Sequence, residues 1–201
     1  MKKIALCLVV ASLFSACDSN LREKTWSKVQ AWTIVSDSEE NDKAVIDAAS
    51  EYGINQLQLS HRVIMNLREL RKDKTRNLVS SLTDYAHAAG IKEVLLWDHA
   101  LYSLKYYPEK FKVGHNGLID LDNPAFWDWF KADYREMLNL VPQADGIVLT
   151  FIETGARAED QYSEKMLTPQ EKIAAVEAAL PILVNENRRL ALYHYGLLRV
   201  L

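Results

Sequence analysis

The sequence predicts an α/β fold of about five β-α units with parallel strands. Short apolar segments alternate along the chain with longer segments whose apolar residues recur at helical spacing. The strand candidate at residues 147–152 is almost entirely apolar, as expected for a strand buried on both faces of a parallel sheet. Polar residues follow the strand candidates at their carboxyl ends, where parallel sheets bind their ligands. These features together predict a parallel sheet with right-handed crossovers.

The amino-terminal segment predicts a lipoprotein signal peptide at residues 1–16. Two lysines near the start precede an apolar segment, and two small residues stand before a cleavage site. Cys17 follows directly, so the segment LFSAC resembles a bacterial lipobox, although Phe14 stands where that pattern prefers leucine. The resemblance implies a lipid anchor on Cys17, a tether at residues 17–30 and a location in the bacterial cell envelope, facing the periplasm or the cell surface.

Composition argues against a disulfide-stabilised protein and against nucleic-acid binding. The only cysteine besides Cys17 is Cys7, which lies in the predicted signal peptide, so no internal disulfide is expected in the mature chain. The 24 basic and 27 acidic residues give a net charge of −3. The sequence has no basic run and no stripe of arginine with aromatic residues, which nucleic-acid-binding domains commonly carry.

The first units are predicted at the start of the mature chain. Residues 31–35 form a strand candidate, and a Ser-Asp-Ser helix-capping signal follows them. Residues 42–52 have alanine and valine at the spacing of one helical face. Residues 54–60 form the second strand candidate, in which Gln56 and Gln58 alternate with apolar residues. One face of this strand is therefore predicted to be less apolar than the other.

The middle of the chain contains the clearest helix candidate, at residues 72–89, where apolar residues form a stripe. Residues 91–97 form the third strand candidate. A long loop at residues 100–122 follows, and loops of this length inside a compact domain are usually functional. An asparagine followed by proline then begins a helix at residues 123–140.

The fourth strand candidate, at residues 147–152, is the element that the rest of the chain supports. An Asp-Gly turn precedes it, and Glu153 leaves its carboxyl end. A Thr-Pro-Gln-Glu capping box at residues 168–171 begins the next helix. Residues 189–195 form a fifth strand candidate.

The order of these units predicts the architecture. Parallel strands that ascend along the chain are typical of a (β/α)₈ barrel, whose usual size is about 250 residues. Residues 31–201 are therefore predicted to form an incomplete TIM-type (β/α) barrel, although a doubly wound sheet is the other possible arrangement of such units. The first and fifth strands would leave unpaired sheet edges, so we expect the isolated chain to be poorly soluble or to associate.

Residues 118–155 carry a resemblance to a known family. The matching features are an acidic loop, two helix-opening tryptophans, a Val-Pro pair and an Asp-Gly turn, at Asp120, Pro124, Trp127, Trp129, Val141, Pro142, Asp145 and Gly146. The segment resembles the glycoside hydrolases of the α-glucuronidase type and, less closely, the hexosaminidase barrels. It departs from them at Thr154, which separates Glu153 from Gly155, whereas the family's acid directly precedes its glycine.

The resemblance implies that Glu153 is the general acid of a glycosidase. Such a residue protonates the glycosidic oxygen and needs a pKa raised towards neutrality. The second carboxylate of a glycosidase stands on the other side of the sugar, and in barrels of this kind it comes from later strands. The chain is therefore expected to be the amino-terminal portion of such an enzyme and to be inactive alone. No cofactor and no metal are predicted.

Six further residues are candidates for contacts with an oligosaccharide. They share a position at or next to the carboxyl end of a strand candidate, and they are Asp37, His61, Trp97, Asp98, His99 and His194. A tryptophan can stack on a sugar ring, and imidazoles and carboxylates can bind its hydroxyl groups. Each of these side chains can equally serve packing or bond to nearby backbone.

Two other functions remain open from the sequence. One is a metal-dependent sugar isomerase or hydrolase that uses His61, Asp98, His99, Glu153 and His194 around one divalent ion, although the chain has no H-x-H on its first strand and no H-E-x-x-H motif. The other is a non-catalytic surface lipoprotein that binds glycans along an aromatic rim.

Overall fold

A computed structural model describes residues 29–36, 38–151, 157–180, 188–194 and 197–200 of the chain. The side chains that it describes end at Leu190. The predicted signal peptide, Cys17, Asp37 and Glu153 lie outside these residues. No described helix is long and apolar enough to cross a membrane.

One mixed sheet organises the fold. The strands among the described residues are β1 (Ala31–Ile34), β2 (Gln56–Leu59), β3 (Glu93–His99), β4 (Lys112–Val113), β5 (Leu118–Ile119), β6 (Gly146–Thr150), β7 (Arg189–His194) and β8 (Leu197–Val200). The main sheet has the order β1-β2-β3-β6-β7-β8, and β4 pairs only with β5 in a separate hairpin. The pairs from β1 to β7 are parallel, which confirms the predicted five parallel strands.

In the part of the chain that the structure describes, four α-helices connect the parallel strands, and side-chain caps fix where three of them begin. They are α1 (Glu39–Glu51), α2 (Asp73–Ala88), α3 (Pro124–Leu140) and α4 (Pro169–Ala179). Ser38 and Asn123 accept backbone N–H groups at the starts of α1 and α3. Thr168 and Glu171 form the predicted capping box of α4. Because Ser38 is the cap, α1 begins three residues before the predicted start at residue 42.

All four helices pack on one face of the sheet. Alternate strand residues such as Leu57, Leu96 and Ile147 share one buried cluster with helix residues such as Leu82 and Phe130. We call this side the helix face and the opposite side the inner face. A doubly wound sheet carries helices on both faces, whereas a TIM-type barrel carries them only outside. The helix arrangement and the ascending strand order therefore favour the barrel.

The inner face has a different composition. Leu95, Val148 and the partly buried Trp97 form a small apolar cluster of their own on this face. Gln56 and Gln58 of β2 are also buried, with 0% and 5% of their surface exposed. The alternation of glutamine with leucine in β2 thus separates a polar inner face from an apolar helix face.

One expectation about the sheet edges is wrong. The sequence predicts that the fifth parallel strand has a free edge, but β8 runs antiparallel along it from Ala191↔Val200 to His194↔Leu197. Within the described residues, β1 remains the last strand at the other edge. Association of isolated chains through β1 stays a prediction.

Candidate active site

Four ring side chains gather at the carboxyl ends of β2 and β3, and we call them the rim cluster: His61, Trp97, His99 and Tyr102. The His61 ring centroid lies 5.3 Å from that of Trp97 and 5.7 Å from that of His99. The centroids of Trp97 and His99 are 6.1 Å apart, and Tyr102 lies 5.6 Å from His99. The structure thus brings together three of the six predicted contact residues, together with one tyrosine of the long loop.

Strand alternation explains why Trp97 and His99 meet. They are two residues apart on β3, so both project to the inner face beyond Leu95. The Trp97 Nε1–H donates a 3.1 Å hydrogen bond to the Gln58 side-chain oxygen on the neighbouring strand. The indole is therefore held at a fixed angle while part of its surface stays exposed.

A backbone carbonyl fixes the tautomer of His99. Its Nδ1 lies 3.0 Å from the carbonyl oxygen of Met65, and a carbonyl can only accept a hydrogen bond. The neutral imidazole therefore carries its hydrogen on Nδ1 and presents Nε2 as an acceptor. His99 is 4% exposed, so little of the ring is open to solvent.

The backbone around the rim cluster is in an unusual conformation. His61, Leu101 and Ser103 have φ values of 47°, 57° and 54°, in the left-handed region that non-glycine residues rarely adopt. Each such residue costs on the order of 1 kcal/mol and persists only where its surroundings hold it. The Ser60 hydroxyl contacts the Nδ1 of His61. Strain of this kind commonly accompanies functional sites.

A chain of hydrogen bonds continues along the inner face below Trp97. The Gln58 amide donates to the Gln56 side-chain oxygen at 3.4 Å, and the Gln56 amide donates to Glu93 at 2.7 Å. Glu93 also forms an ion pair with Arg189 of β7. Buried amides are costly unless they are bonded, and this chain satisfies both glutamines. Its residues come from three of the parallel strands, β2, β3 and β7.

Asp98 lies away from the rim cluster. It falls between Trp97 and His99 on β3 and therefore projects to the helix face, where it is 0% exposed. Its carboxylate accepts the Leu67 N–H at 3.0 Å and the Arg68 guanidinium at 2.8 Å, and the Tyr134 hydroxyl also donates to it. The expectation that Asp98 contacts a sugar does not fit this position, because its oxygens already bind groups in the core.

Arg68 is the centre of a buried ion network that sequence reasoning missed. Its side chain is 0% exposed, and its Nε donates to Asp133 at 2.7 Å in addition to the contact with Asp98. Its guanidinium lies 4.4 Å from the ring centroid of Tyr134 and 5.1 Å from that of Tyr107. Burial alone would lower the pKa of Arg68, but these tyrosines and aspartates raise it well above its usual value. Burial also raises the pKa of Tyr107.

The Arg68 network positions the rim indirectly. Arg68 belongs to a 3₁₀ helix, Leu67–Arg71, between β2 and α2. The same segment begins with Asn66, whose side chain caps the 3₁₀ helix, and just before it lies Met65, which binds His99. The ion pairs therefore hold the segment that orients the imidazole. The sequence does not distinguish Arg68 from Arg71, the other arginine of this 3₁₀ helix, so it gave no signal for this role.

The structure does not describe the side chains of the remaining predicted site residues. His194 is the last residue of β7 and pairs with Leu197, but its side chain is not described. Asp37, Glu153 and the lipidation site Cys17 are not among the described residues. Where side chains are described, no group of three or more His, Cys, Asp or Glu residues could hold a metal ion. The position of Asp98 on the helix face also removes one ligand from the metal-dependent alternative.

Comparison by sequence finds neither a matching family model nor a matching curated protein. Comparison by structure finds the α-galactosidase TtGalA from Thermus thermophilus, in complex with p-nitrophenyl α-D-galactopyranoside, at a TM-score of 0.55 and 15% identity. The match covers 82% of this chain and 37% of the α-galactosidase. The chain has the fold of a partial TIM-type barrel.

Two more distant barrels have TM-scores too low to support any argument. CpGH84B matches at 0.49 with 11% identity, over 82% of this chain and 27% of its own. The endo-β-mannanase/endo-β-glucanase PbGH26A-GH5A from Prevotella bryantii matches at 0.43 with 15% identity, over 77% of this chain and 23% of its own. All three matched structures are glycoside hydrolases. This chain spans well under half of each, and at 15% identity the likeness to TtGalA shows the fold alone.

Proposed function

We propose that this chain is a glycoside hydrolase-type lipoprotein that binds oligosaccharides at the rim cluster, with Glu153 as the general acid. The register of the sheet is the observation that carries this proposal. His99 pairs with Thr150 at the end of β6, and Glu153 follows Thr150 by three residues. TIM-type barrels place their active sites at this carboxyl edge.

The rim cluster has the chemistry that a sugar site needs. The exposed part of the Trp97 ring offers an apolar surface for the C–H face of a pyranose. The Nε2 of His99 can accept a hydrogen bond from a hydroxyl group of the same sugar. The Glu153 carboxyl would donate its proton to the glycosidic oxygen while the bond to the anomeric carbon breaks.

We further propose the α-glucuronidase type for the reaction and an envelope location for the protein. In that type of barrel the second carboxylate comes from later strands, which would have to complete the five parallel strands described for this chain. The chain alone would then bind oligosaccharides without cleaving them. A lipid on Cys17 would hold it at the membrane.

A non-catalytic glycan-binding lipoprotein is the second candidate, and the rim cluster itself favours it. Stacking on Trp97 and hydrogen bonding to His99 require no carboxylate. In this case Glu153 would have no chemical role, and its replacement would leave binding and every other property unchanged.

Binding and cleavage measured on matched variants test these functions. In isothermal titration with a panel of neutral and uronate oligosaccharides, we expect Trp97→Ala to weaken binding about tenfold, because the stacking surface is lost. Glu153→Gln should keep binding, yet it should abolish cleavage in a preparation supplied with the completing strands. Trp32→Ala is the control, because Trp32 packs against the main core on the helix side.

Unchanged affinity in Trp97→Ala would overturn the assignment of the rim cluster as the sugar site. Full cleavage by Glu153→Gln would contradict the assignment of Glu153 as the general acid, and only the binding function would remain supported.

A further inference from the structure

We propose a second saccharide site, selective for amino sugars, in a cleft between the β4–β5 hairpin and the segment after β6. The inference rests on the proposed function only in taking the ligand to be a saccharide. The cleft has a volume of about 470 Å³, and its lining includes Val113, His115, Asn116, Leu118, Asp120 and Tyr162. Both of its walls follow the carboxyl ends of parallel strands, β3 and β6, so the cleft lies on the same edge as the rim cluster.

The cleft is built on a fixed frame. Tyr162 donates its N–H to the Ile119 carbonyl at 3.0 Å and accepts the Leu121 N–H at 2.9 Å. The buried Gln161 accepts the Ile119 N–H with its side-chain oxygen at 2.9 Å. Residues 119–121 and 161–162 are thereby joined as a short parallel bridge. A site that keeps its shape before binding loses less entropy when a ligand arrives.

The lining offers both an aromatic surface and polar groups. Tyr162 is 39% exposed, and its hydroxyl donates to Glu164 at 2.7 Å, which fixes the ring. One oxygen of Asp120 accepts the Asp122 N–H at 3.0 Å, and no described hydrogen bond engages the other. His115 and Asn116 lie exposed at the hairpin tip beside them. A ring face with a neighbouring carboxylate is suited to a sugar that carries a hydrogen-bond donor.

The charge around the cleft selects among sugars. Asp120 lines the cleft, and Asp122 and Glu164 lie next to it. The hydrogen bond to Glu164 raises the pKa of Tyr162, and the charges of the two aspartates raise it further. Of the nearby cations, Lys112 is paired with Glu109, Lys165 lies close to Asp122, and Lys172 donates to the backbone carbonyls of Glu159 and Gln161. The cleft is therefore a region of negative potential, which repels uronates and attracts an ammonium group.

Titration of the full chain with three tetrasaccharides tests the site. The probes are a β-1,4-linked glucosamine tetramer, its N-acetylated form and a galacturonate tetramer, at mildly acidic pH and low salt. We expect the glucosamine tetramer to bind most tightly and the galacturonate not to bind at the cleft. Asp120→Asn should lower the affinity for the glucosamine tetramer about tenfold, to that of the acetylated form. Tyr162→Ala should weaken both about tenfold.

Two controls separate this site from the rim cluster. Tyr52→Ala removes a tyrosine that is 73% exposed at the end of α1, on the opposite edge of the sheet, and should change nothing. Trp97→Ala should leave glucosamine binding at the cleft intact. Equal binding of the galacturonate and glucosamine tetramers in Trp97→Ala, or unchanged glucosamine affinity in Asp120→Asn and Tyr162→Ala, would contradict the cleft site. If Trp97→Ala by itself abolished all saccharide binding, the proposed site in the cleft would be wrong, whereas the proposed function would still hold.

Discussion

At the scale of single residues, Arg68 and His99 act through the same short segment although they do not touch. Arg68 binds Asp98 and Asp133 in the core, and Met65, three residues before Arg68, holds the imidazole of His99. The ion network therefore contributes to the geometry of the rim cluster as well as to stability. Buried ion pairs are often weak net stabilisers, but removing one partner leaves an uncompensated charge.

Replacing Arg68 should be strongly destabilising. Arg68→Met leaves the buried carboxylates of Asp98 and Asp133 without their common partner, and we expect a loss of about 3–5 kcal/mol in the free energy of unfolding. Urea denaturation measures this loss. Arg71→Met is the matched control, because the Arg71 side chain is 40% exposed, and it should cost less than about 1 kcal/mol. Equal losses in the two variants would contradict the central role of Arg68.

Residue positions were predictable where strand alternation decides them. His61, Trp97 and His99 were expected at the carboxyl edge and do lie there. The same alternation assigns Asp98 to the side of Leu96, so its place in the core follows from the pattern once the strand extends to His99. The partners of Asp98 were not predictable, because Arg68 and Asp133 are 30 and 35 residues away along the chain and come together only by folding.

At the scale of elements, hydrogen-bonding signals located helix starts better than strand ends. The caps at Asn123 and Thr168 predicted the starts of α3 and α4, because each supplies an acceptor for free N–H groups. The end of β3 was predicted at Trp97 but lies at His99, since pairing with β6 continues to Thr150. Such pairing depends on a neighbouring strand and leaves no local pattern. The two-residue strands β4 and β5 are too short to show any periodicity.

The contact between β6 and β7 depends on one glycine. Gly146 pairs with Arg189 at the start of β6, and a Cβ on Gly146 would overlap the Arg189 backbone. We expect Gly146→Ala to lower the free energy of unfolding by about 1–3 kcal/mol, because strand backbones must separate to admit the methyl group. Thermal or urea unfolding provides the measurement.

Gly114→Ala provides the comparison for Gly146→Ala. Gly114 has a φ of +68° and nothing within 4 Å of an added Cβ, so its substitution carries only the cost of the left-handed backbone. That cost is about 1 kcal/mol. A larger loss in Gly114→Ala than in Gly146→Ala would contradict the steric explanation.

At the scale of the whole molecule, the arrangement of helices distinguishes the barrel from the doubly wound sheet. The sequence predicted parallel strands in ascending order but could not determine on which face the helices pack, since a crossover helix is amphipathic in either case. The buried cluster that α1 to α4 share with one side of the strands answers that question. The antiparallel return of β8 was not predicted, because the four residues 197–200, Leu-Leu-Arg-Val, are too few to show a strand period.

The proposed anchor is a property of the whole molecule and can be tested in cells. If Cys17 carries a lipid, the protein should incorporate labelled palmitate and sediment with membranes, and Cys17→Ala should release it from the membrane fraction. Cys7→Ala is the control, because Cys7 lies within the predicted signal peptide and should not affect labelling. Labelling that persists in Cys17→Ala would exclude the anchor.

The fixed angle between Trp97 and His99 has a consequence for stereochemistry. The two rings are inclined by 54°, and the imidazole offers one acceptor whose direction the Met65 carbonyl determines. A pyranose stacked on the indole could therefore bind that acceptor with only one of its hydroxyl groups. That hydroxyl group must have the configuration that directs it towards the acceptor. Epimers with identical composition would then differ in affinity through the configuration at a single carbon atom.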